Sequence, residues 1–219
     1  MAFDASDEHR EGRTIEDGAC RLAEKIAGAI YIQLETSAGL TRIPVGCRPM
    51  NQWNTIWIGV IADTHGLFDP VVRQDFTGVD HIVHAGDIGD RSVIEQLEQL
   101  APVTAVSGNV DGYEQSGFPS EFVIELAGRR IAIRHILFEG GKMTKEGREF
   151  LEREHPDICI FGHTHQPRAE WFGKTLLFNP GSAGPKRFTL PRGIGLLRLR
   201  DAEVEPHLIS LPDKPHRRS

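Results

Sequence analysis

The sequence predicts an α/β fold of two packed mixed β-sheets flanked by helices, and three observations carry that prediction. Apolar strand-like runs alternate with helix-like runs from Ile56 to Val106, the β-α-β-α-β order of a parallel sheet. After Asn109 the pattern changes to strand pairs, so the second half brings antiparallel partners. Side chains able to bind metal stand at the ends of five strand-like runs, and open α/β sheets gather their sites at strand carboxyl ends.

Residues 1–55 form an extension without recognisable chemistry. Thr14 to Ile32 reads as one helix-like segment, with Ile15, Leu22, Ile26, Ala29 and Ile30 near helical spacing, although Gly18 and Gly28 weaken it. Ser37 to Asn54, which holds Pro44, Gly46, Pro49 and Asn51, reads as a loop or linker. The extension could be a small cap, a disordered arm, or sequence ahead of a later start at Met50, and the residues leave all three open. A domain is expected over 56–212, with a short tail over 213–219.

Within the domain, strand Ile56 to Ala62 leads to Asp63-Thr64-His65-Gly66 and a helix starting near Pro70, a good first-turn residue. Strand His81 to Ala85 ends at Gly86-Asp87. It is followed by a helix from Ser92 to Leu100, with Ser92 as its cap and Glu95 three residues on. Strand Val103 to Val106 ends at Gly108-Asn109. Glu121 to Leu126 and Arg130 to Arg134 flank Ala127-Gly128-Arg129, a hairpin signal, and the second of them runs into His135. A helix from Thr144 to Glu154 precedes strand Asp157 to Phe161, which ends at Gly162-His163-Thr164-His165. Strands Thr175 to Phe178, Gly195 to Leu199 and Val204 to Leu211 close the chain.

At 219 residues and a net charge of −6, the chain fits one core-forming domain with no general affinity for nucleic acid or anionic lipid. No apolar run approaches the roughly 18 residues a spanning helix needs, and Met1 to Arg13 is too polar for a signal peptide. Cys20, Cys47 and Cys159 are scattered and odd in number, which argues for a reducing compartment; the expected location is cytoplasmic. Whether the chain forms a homo-oligomer is left open.

The motifs D-x-H, G-D, G-N, H and G-H-x-H in this order resemble those of the calcineurin-like metallophosphoesterases. The Gly108-Asn109-Val110-Asp111 form, the Asn179-Pro180-Gly181-Ser182 segment and the small size look most like the compact bacterial and archaeal phosphodiesterase branch. The resemblance spans roughly Ile58 to Leu211 and implies the four-layer α/β/β/α fold of that family. It further implies one metal bound by Asp63, His65, Asp87 and His165, and a second by Asp87, Asn109, His135 and His163, with Asp87 as the bridge. The ligand chemistry agrees, since a carboxylate must join two dications about 3.5–4 Å apart. Carboxylate, amide and imidazole without sulfur favour Mn²⁺, while Fe, Ni and Zn also fit. The implied reaction is hydrolysis of a phosphate ester, above all a phosphodiester, by in-line attack of a metal-bridging hydroxide. Asn109 and His163 would line the substrate face.

Other residues invite weaker roles. His84 reads as packed or supporting, His81 as exposed, and Asp111 as a partner orienting a ligand histidine. Arg91 could touch phosphate, although Ser92 breaks the Asp-Arg-Gly pattern of the protein-phosphatase branch; Lys186 and Arg187 could reach an anion. That branch carries a histidine after the asparagine to protonate the leaving group, and here Val110 stands in its place. His135 departs too, being followed by Ile136 where the family usually has glycine. Two rivals remain: a phosphomonoesterase or protein phosphatase, and a non-catalytic scaffold such as the trafficking-complex subunit of this fold.

Overall fold

A computed structural model of the chain describes residues 55–111, 117–187, 189–201 and 203–213, and the backbone of three strands before them. Those three, β1 (Cys20–Ile26), β2 (Ala29–Thr36) and β3 (Gly39–Pro44), form an antiparallel sheet. The helix expected over Thr14 to Ile32 is therefore replaced by strands wherever its residues are described, and Gly39–Pro44 is strand rather than loop. Residues 14–19 and 45–54 lie outside the described residues. The physical reason is periodicity: Ile30, Ile32 and Leu34 alternate with Tyr31, Gln33 and Glu35, which is the two-residue repeat of a strand. Gly28, a weak point in a helix, falls between two strands instead.

The rest builds two five-stranded mixed sheets. The first contains β4 (Thr55–Ile61), β5 (His81–His84), β6 (Val103–Ala105), β14 (Arg192–Arg200) and β15 (Glu203–Leu211), in the order β15-β14-β4-β5-β6. Here β4, β5 and β6 run parallel, with β14 antiparallel to β4. The second contains β7 (Glu121–Leu126), β8 (Arg129–Arg134), β11 (Ile158–Ile160), β12 (Arg168–Phe172) and β13 (Thr175–Asn179), ordered β12-β13-β11-β8-β7. Its parallel core is β8, β11 and β13, with antiparallel edges. A small hairpin, β9 (Phe138–Glu139) and β10 (Lys142–Met143), turns at Gly140-Gly141 with both glycines at positive φ, and was not foreseen from the sequence.

Alternation along the strands decides the layers. Ile58, Val60, Ala62 and Val83 point inward and meet Ile131, Ile133, Ile158, Ile160 and Phe178 of the other sheet. The outward set of the first sheet, Trp57, Ile61 and Ile82, is covered by Val72 and Phe76 of α1 (Pro70–Asp75) and by Ile94 and Leu97 of α2 (Arg91–Glu98). Outward residues of the second, Ala132, Cys159 and Leu177, are covered by Phe150 and Leu151 of α3 (Lys145–Glu154). The result is the four-layer α/β/β/α arrangement. Fully burying one such aliphatic side chain contributes about 1.5–3 kcal/mol, so the inter-sheet layer and the two helix-covered faces all stabilise the fold.

Helix starts follow local chemistry, with one correction. Asp90, not Ser92, caps α2, because its carboxylate accepts the Ser92 N–H at 2.8 Å. Thr144 caps α3 through the Gly147 N–H at 2.9 Å. Among the described residues no helix is long and apolar enough to cross a membrane.

Candidate metal centre

The six parallel strands all send their carboxyl ends to one crevice. β4 delivers Asp63 and His65, β5 delivers Asp87, β6 delivers Asn109, β8 delivers His135, and β11 delivers His163 and His165. After β13, the Asn179 side chain donates to the Gly162 carbonyl at 2.9 Å and to Thr164 Oγ1 at 3.1 Å, tying the G-H-x-H turn to the next strand. Ser182 Oγ and the Gly184 N–H both reach the Asp63 carbonyl at 3.0 Å, pinning the D-x-H turn.

The crevice brings the predicted side chains together in two groups. In the first, Asp63, His65 and His165 offer one ligand atom each within 4.8 Å of one another; in the second, Asp63, Asp87 and His135 do the same. His165 Nε2 lies 3.3 Å from Asp63 Oδ1, and His135 Nε2 lies 3.3 Å from Asp87 Oδ1. The other Asp87 oxygen faces His65 Nε2 at 3.8 Å, so this carboxylate spans the two groups. Asp63 belongs to both groups as well, a closeness that the ligand sets read from the motifs did not include. His163 and Asn109 stand at the mouth, where Nδ1 of the ring lies 3.0 Å from the amide oxygen.

Three buried atoms of this cluster, Asp63 Oδ2, His65 Nε2 and His135 Nε2, have no hydrogen-bond partner. Leaving a buried polar atom unpaired costs about 1–3 kcal/mol, and three such atoms converge on one place. Lone pairs of carboxylate and imidazole fit hard and borderline dications, so the residues fit a metal site. The His135 tautomer agrees. Its Nδ1 lies 2.7 Å from the Ala85 carbonyl and must donate to it, which turns the Nε2 lone pair inward.

Backbone strain marks the same residues. Asp63, His65, Asp87, His163 and His165 have φ between 48° and 67°, the left-handed region that L-residues avoid. Each such residue costs about 1–3 kcal/mol and persists only where its surroundings fix it. Here the fixing is visible: the Asp63 N–H donates to the Gly86 carbonyl at 3.0 Å and the His65 N–H to the Asp87 carbonyl at 2.9 Å. Gly108 is required by contact, since a Cβ there would run into the Asp87 carboxylate.

Electrostatics follow from burial and partners. Burial alone would raise the Asp87 pKa, but the His135 imidazole and the Val110 N–H hold it down at about 2. His135 is itself carried above the ordinary histidine value: burial works against the proton, and the Asp87 and Asp63 carboxylates outweigh it. Burial and then the Arg187 guanidinium lower His65, which places a cation near the first group.

The supporting residues differ in part from expectation. Asp111 orients no histidine; it accepts the N–H groups of Ile88, Gly89 and Gly108 at 2.8–3.0 Å, bracing the turns that carry Asp87 and Asn109. His84 lies beneath the site as expected of a supporting residue, with Nδ1 accepting the Gly86 N–H at 3.2 Å and Nε2 at 2.9 Å from Thr64 Oγ1. His81 is half-buried against Thr104 Oγ1 at 2.8 Å rather than exposed. Arg91 leans on Phe118 and Glu95, and Lys186 pairs with Asp213 at 2.7 Å. Arg192 escaped the sequence reading altogether. It is fully buried, pairs with Asp69 at 2.9 Å, and donates to the carbonyls of Ala183 and Gly184 at 2.8 and 2.7 Å.

Residues 56–202 match the calcineurin-like phosphoesterase superfamily domain. The chain belongs to this family. It is 34% identical over 170 residues to a probable metallophosphoesterase of Methanocaldococcus jannaschii, an alignment covering 73% of this chain and 83% of that one. It is also 32% identical over 109 residues to the phosphodiesterase YfcE of Escherichia coli K12, covering 48% of this chain and 58% of the relative. Among solved structures, zinc-complexed Vps29 of Entamoeba histolytica aligns with a TM-score of 0.58 at 23% identity, covering 71% of this chain and 99% of that one, a likeness of fold alone.

Proposed function

We propose that the chain is a dinuclear metal-dependent phosphodiesterase whose catalytic domain spans 56–212, with 1–55 appended to it. The observation that carries this reading is the set of unpaired, buried, inward-facing atoms on Asp63, His65 and His135. Asp63, His65, Asp87 and His165 would hold one ion, and Asp87, Asn109, His135 and His163 the other. Asp87 would bridge them, a role supported by its two oxygens facing His135 and His65. When bound, two dications supply an acidified water as nucleophile and neutralise charge on the phosphate.

The chain's own residues do the rest. Asn109 and His163, at the mouth, hold phosphate oxygens and set the ester in line. The depressed pKa of Asp87 keeps its carboxylate ionised throughout the physiological range. Mn²⁺ is the proposed ion, with Fe, Ni and Zn as alternatives from the same donor set. A cytoplasmic location accords with the buried free thiol of Cys159. The name of the Escherichia coli relative favours a diester over a monoester. A scaffold has no use for a complete donor set or for strained backbone around it.

The test is a panel of mono- and diesters, cyclic nucleotides included, with chelator-treated protein and added Mn²⁺. Mn²⁺-dependent cleavage with diesters preferred is expected. Metal-loaded protein that turns over none of them would favour the scaffold.

A further inference from the structure

A cavity of about 190 Å³ opens beside the candidate metal centre, at the carboxyl ends of β6 and β8. Asn109 and His135 form the wall it shares with the site; Gly108 also lines it, as do Ser107, Ser120, Arg134 and Ile136. None of these last four has a part in the proposed chemistry. The volume lies below the about 300–1,000 Å³ of pockets that enclose a drug-sized ligand, so it suits one ring or a short branched chain.

The lining decides what kind of group enters. Arg134 is the one arginine or lysine among the described lining residues, and it is already committed. Its Nη1 is ion-paired with Glu121, and its Nε donates to the Ile136 carbonyl at 2.8 Å. A guanidinium neutralised in this way is a fixed wall rather than a receptor for a second phosphate. Ile136 is half-buried and supplies an apolar surface, while Ser107 and Ser120 can each form one hydrogen bond. An uncharged, ring-sized group with a polar edge matches that lining.

We infer that this cavity is the subsite for one ester arm of the substrate, taking a neutral group no larger than a single ring, with Ile136 setting its size. The inference rests on the phosphodiesterase reading and extends it from the reacting phosphate to the group attached. The Arg134 bond to the Ile136 carbonyl fixes both this wall and the turn that aims His135, so the arm and the candidate metal ligand are held in one register.

The experiment compares p-nitrophenyl phenyl phosphate with p-nitrophenyl methyl phosphate, which share a leaving group and differ in the other arm. Wild-type protein should prefer the phenyl ester in kcat/KM. Ile136→Trp fills the cavity and should reduce the phenyl-over-methyl preference by about tenfold or more, the scale on which an apolar pocket discriminates. Ile136→Ala should admit a naphthyl arm that the wild type resists. Phenylphosphonate, tested as a competitive inhibitor, should weaken with Ile136→Trp by a similar factor, and metal content by elemental analysis should be retained. If Ile136→Trp fails to fold, Ser120→Trp narrows the same cavity from its exposed rim. An unchanged phenyl-to-methyl ratio and unchanged inhibition in a folded, metal-loaded variant would overturn the subsite. Wild-type protein inert toward both esters would instead overturn the phosphodiesterase reading.

Discussion

At the floor of the site Asp63, Asp87 and His135 are buried and held from several sides, whereas at its mouth an exposed Asn109 and a half-buried His163 lean on each other. Every floor residue has a backbone partner: Asp63 through Gly86, Asp87 through Val110, His135 through Ala85. Those bonds keep two carboxylates in left-handed backbone that neither would choose alone. The mouth shares part of that strain, since His163 is also left-handed with its N–H on Asp63 Oδ1 at 3.2 Å, while Asn109 is not among the left-handed residues. Under the proposed function, preorganised charge at the floor and contacts at the mouth would make separable contributions to the reaction.

The contrast breaks first at Asp87. Asp87→Asn removes the charge that spans both groups and should strip both ions. The rate of diester cleavage should fall beyond the about 10²–10³-fold that losing one electrostatic donor costs. Asn109→Ala, at the mouth, should lose about 10²-fold or less, keep the melting temperature, and retain the ion held by Asp63 and His165. Elemental analysis beside steady-state rates measures both. Equal metal loss in the two variants would mean that floor and mouth are one unit.

A second test probes the mouth alone. Val110 is 51% exposed beside Asn109, so a side chain unable to move a proton stands at the opening. General-acid assistance is typically worth about 10²–10⁴-fold, and without it poor leaving groups suffer most. Aryl diesters should outpace alkyl diesters by a factor in that range, and Val110→His should narrow the gap. A flat plot of log rate against leaving-group pKa, with chemistry rate-limiting, would show that another residue already donates the proton.

How much of this was readable in advance divides along similar lines. The seven candidate ligands were picked out because each follows an apolar strand-like run and short motifs keep their spacing; the structure gathers five of them into the two groups and sets Asn109 and His163 at the mouth. The layer order was legible from strand alternation as well. The fixing network was not. Asp69 and Arg192 are 123 residues apart, and no local pattern pairs them. Asp111 sits in a recognisable motif, yet its bonds go to backbone N–H groups, which have no sequence identity to read. The wall of the cavity at Ser120, Arg134 and Ile136 also comes from segments that meet only in the fold. β1 and β2 were misread because Ile26, Ala29 and Ile30 satisfy helical spacing, while the alternation from Ile30 to Leu34 satisfies a strand equally well; β3 was read as loop because Pro44, Gly46, Pro49 and Asn51 crowd its end.

The smallest expected effect on turnover comes from beneath the floor, at His84, where stability should respond instead. Burial pushes its pKa down to about 4 from 6.5, so the folded protein holds a neutral ring. That ring accepts from Gly86 and, as the neutral tautomer, donates to Thr64 Oγ1, which itself donates to the Ile88 carbonyl at 2.9 Å. Below pH 6.5 the unfolded chain takes up a proton that the folded chain refuses, so stability is complete above that pH and drains away as pH falls toward 4. The full loss is about 3 kcal/mol, the free energy that separates 6.5 from about 4. His84→Gln keeps an acceptor and a donor but cannot titrate. Urea unfolding of both proteins at pH 7.5, 6 and 4.5 should therefore find the variant gaining on the wild type at each step down. Turnover near pH 8 should be retained, because His84 bonds to Thr64 Oγ1 and the Gly86 N–H rather than to a candidate ligand side chain. A stability difference that stays constant with pH would place the acid sensitivity elsewhere. The carboxylates and histidines of the floor itself would then be the groups to examine.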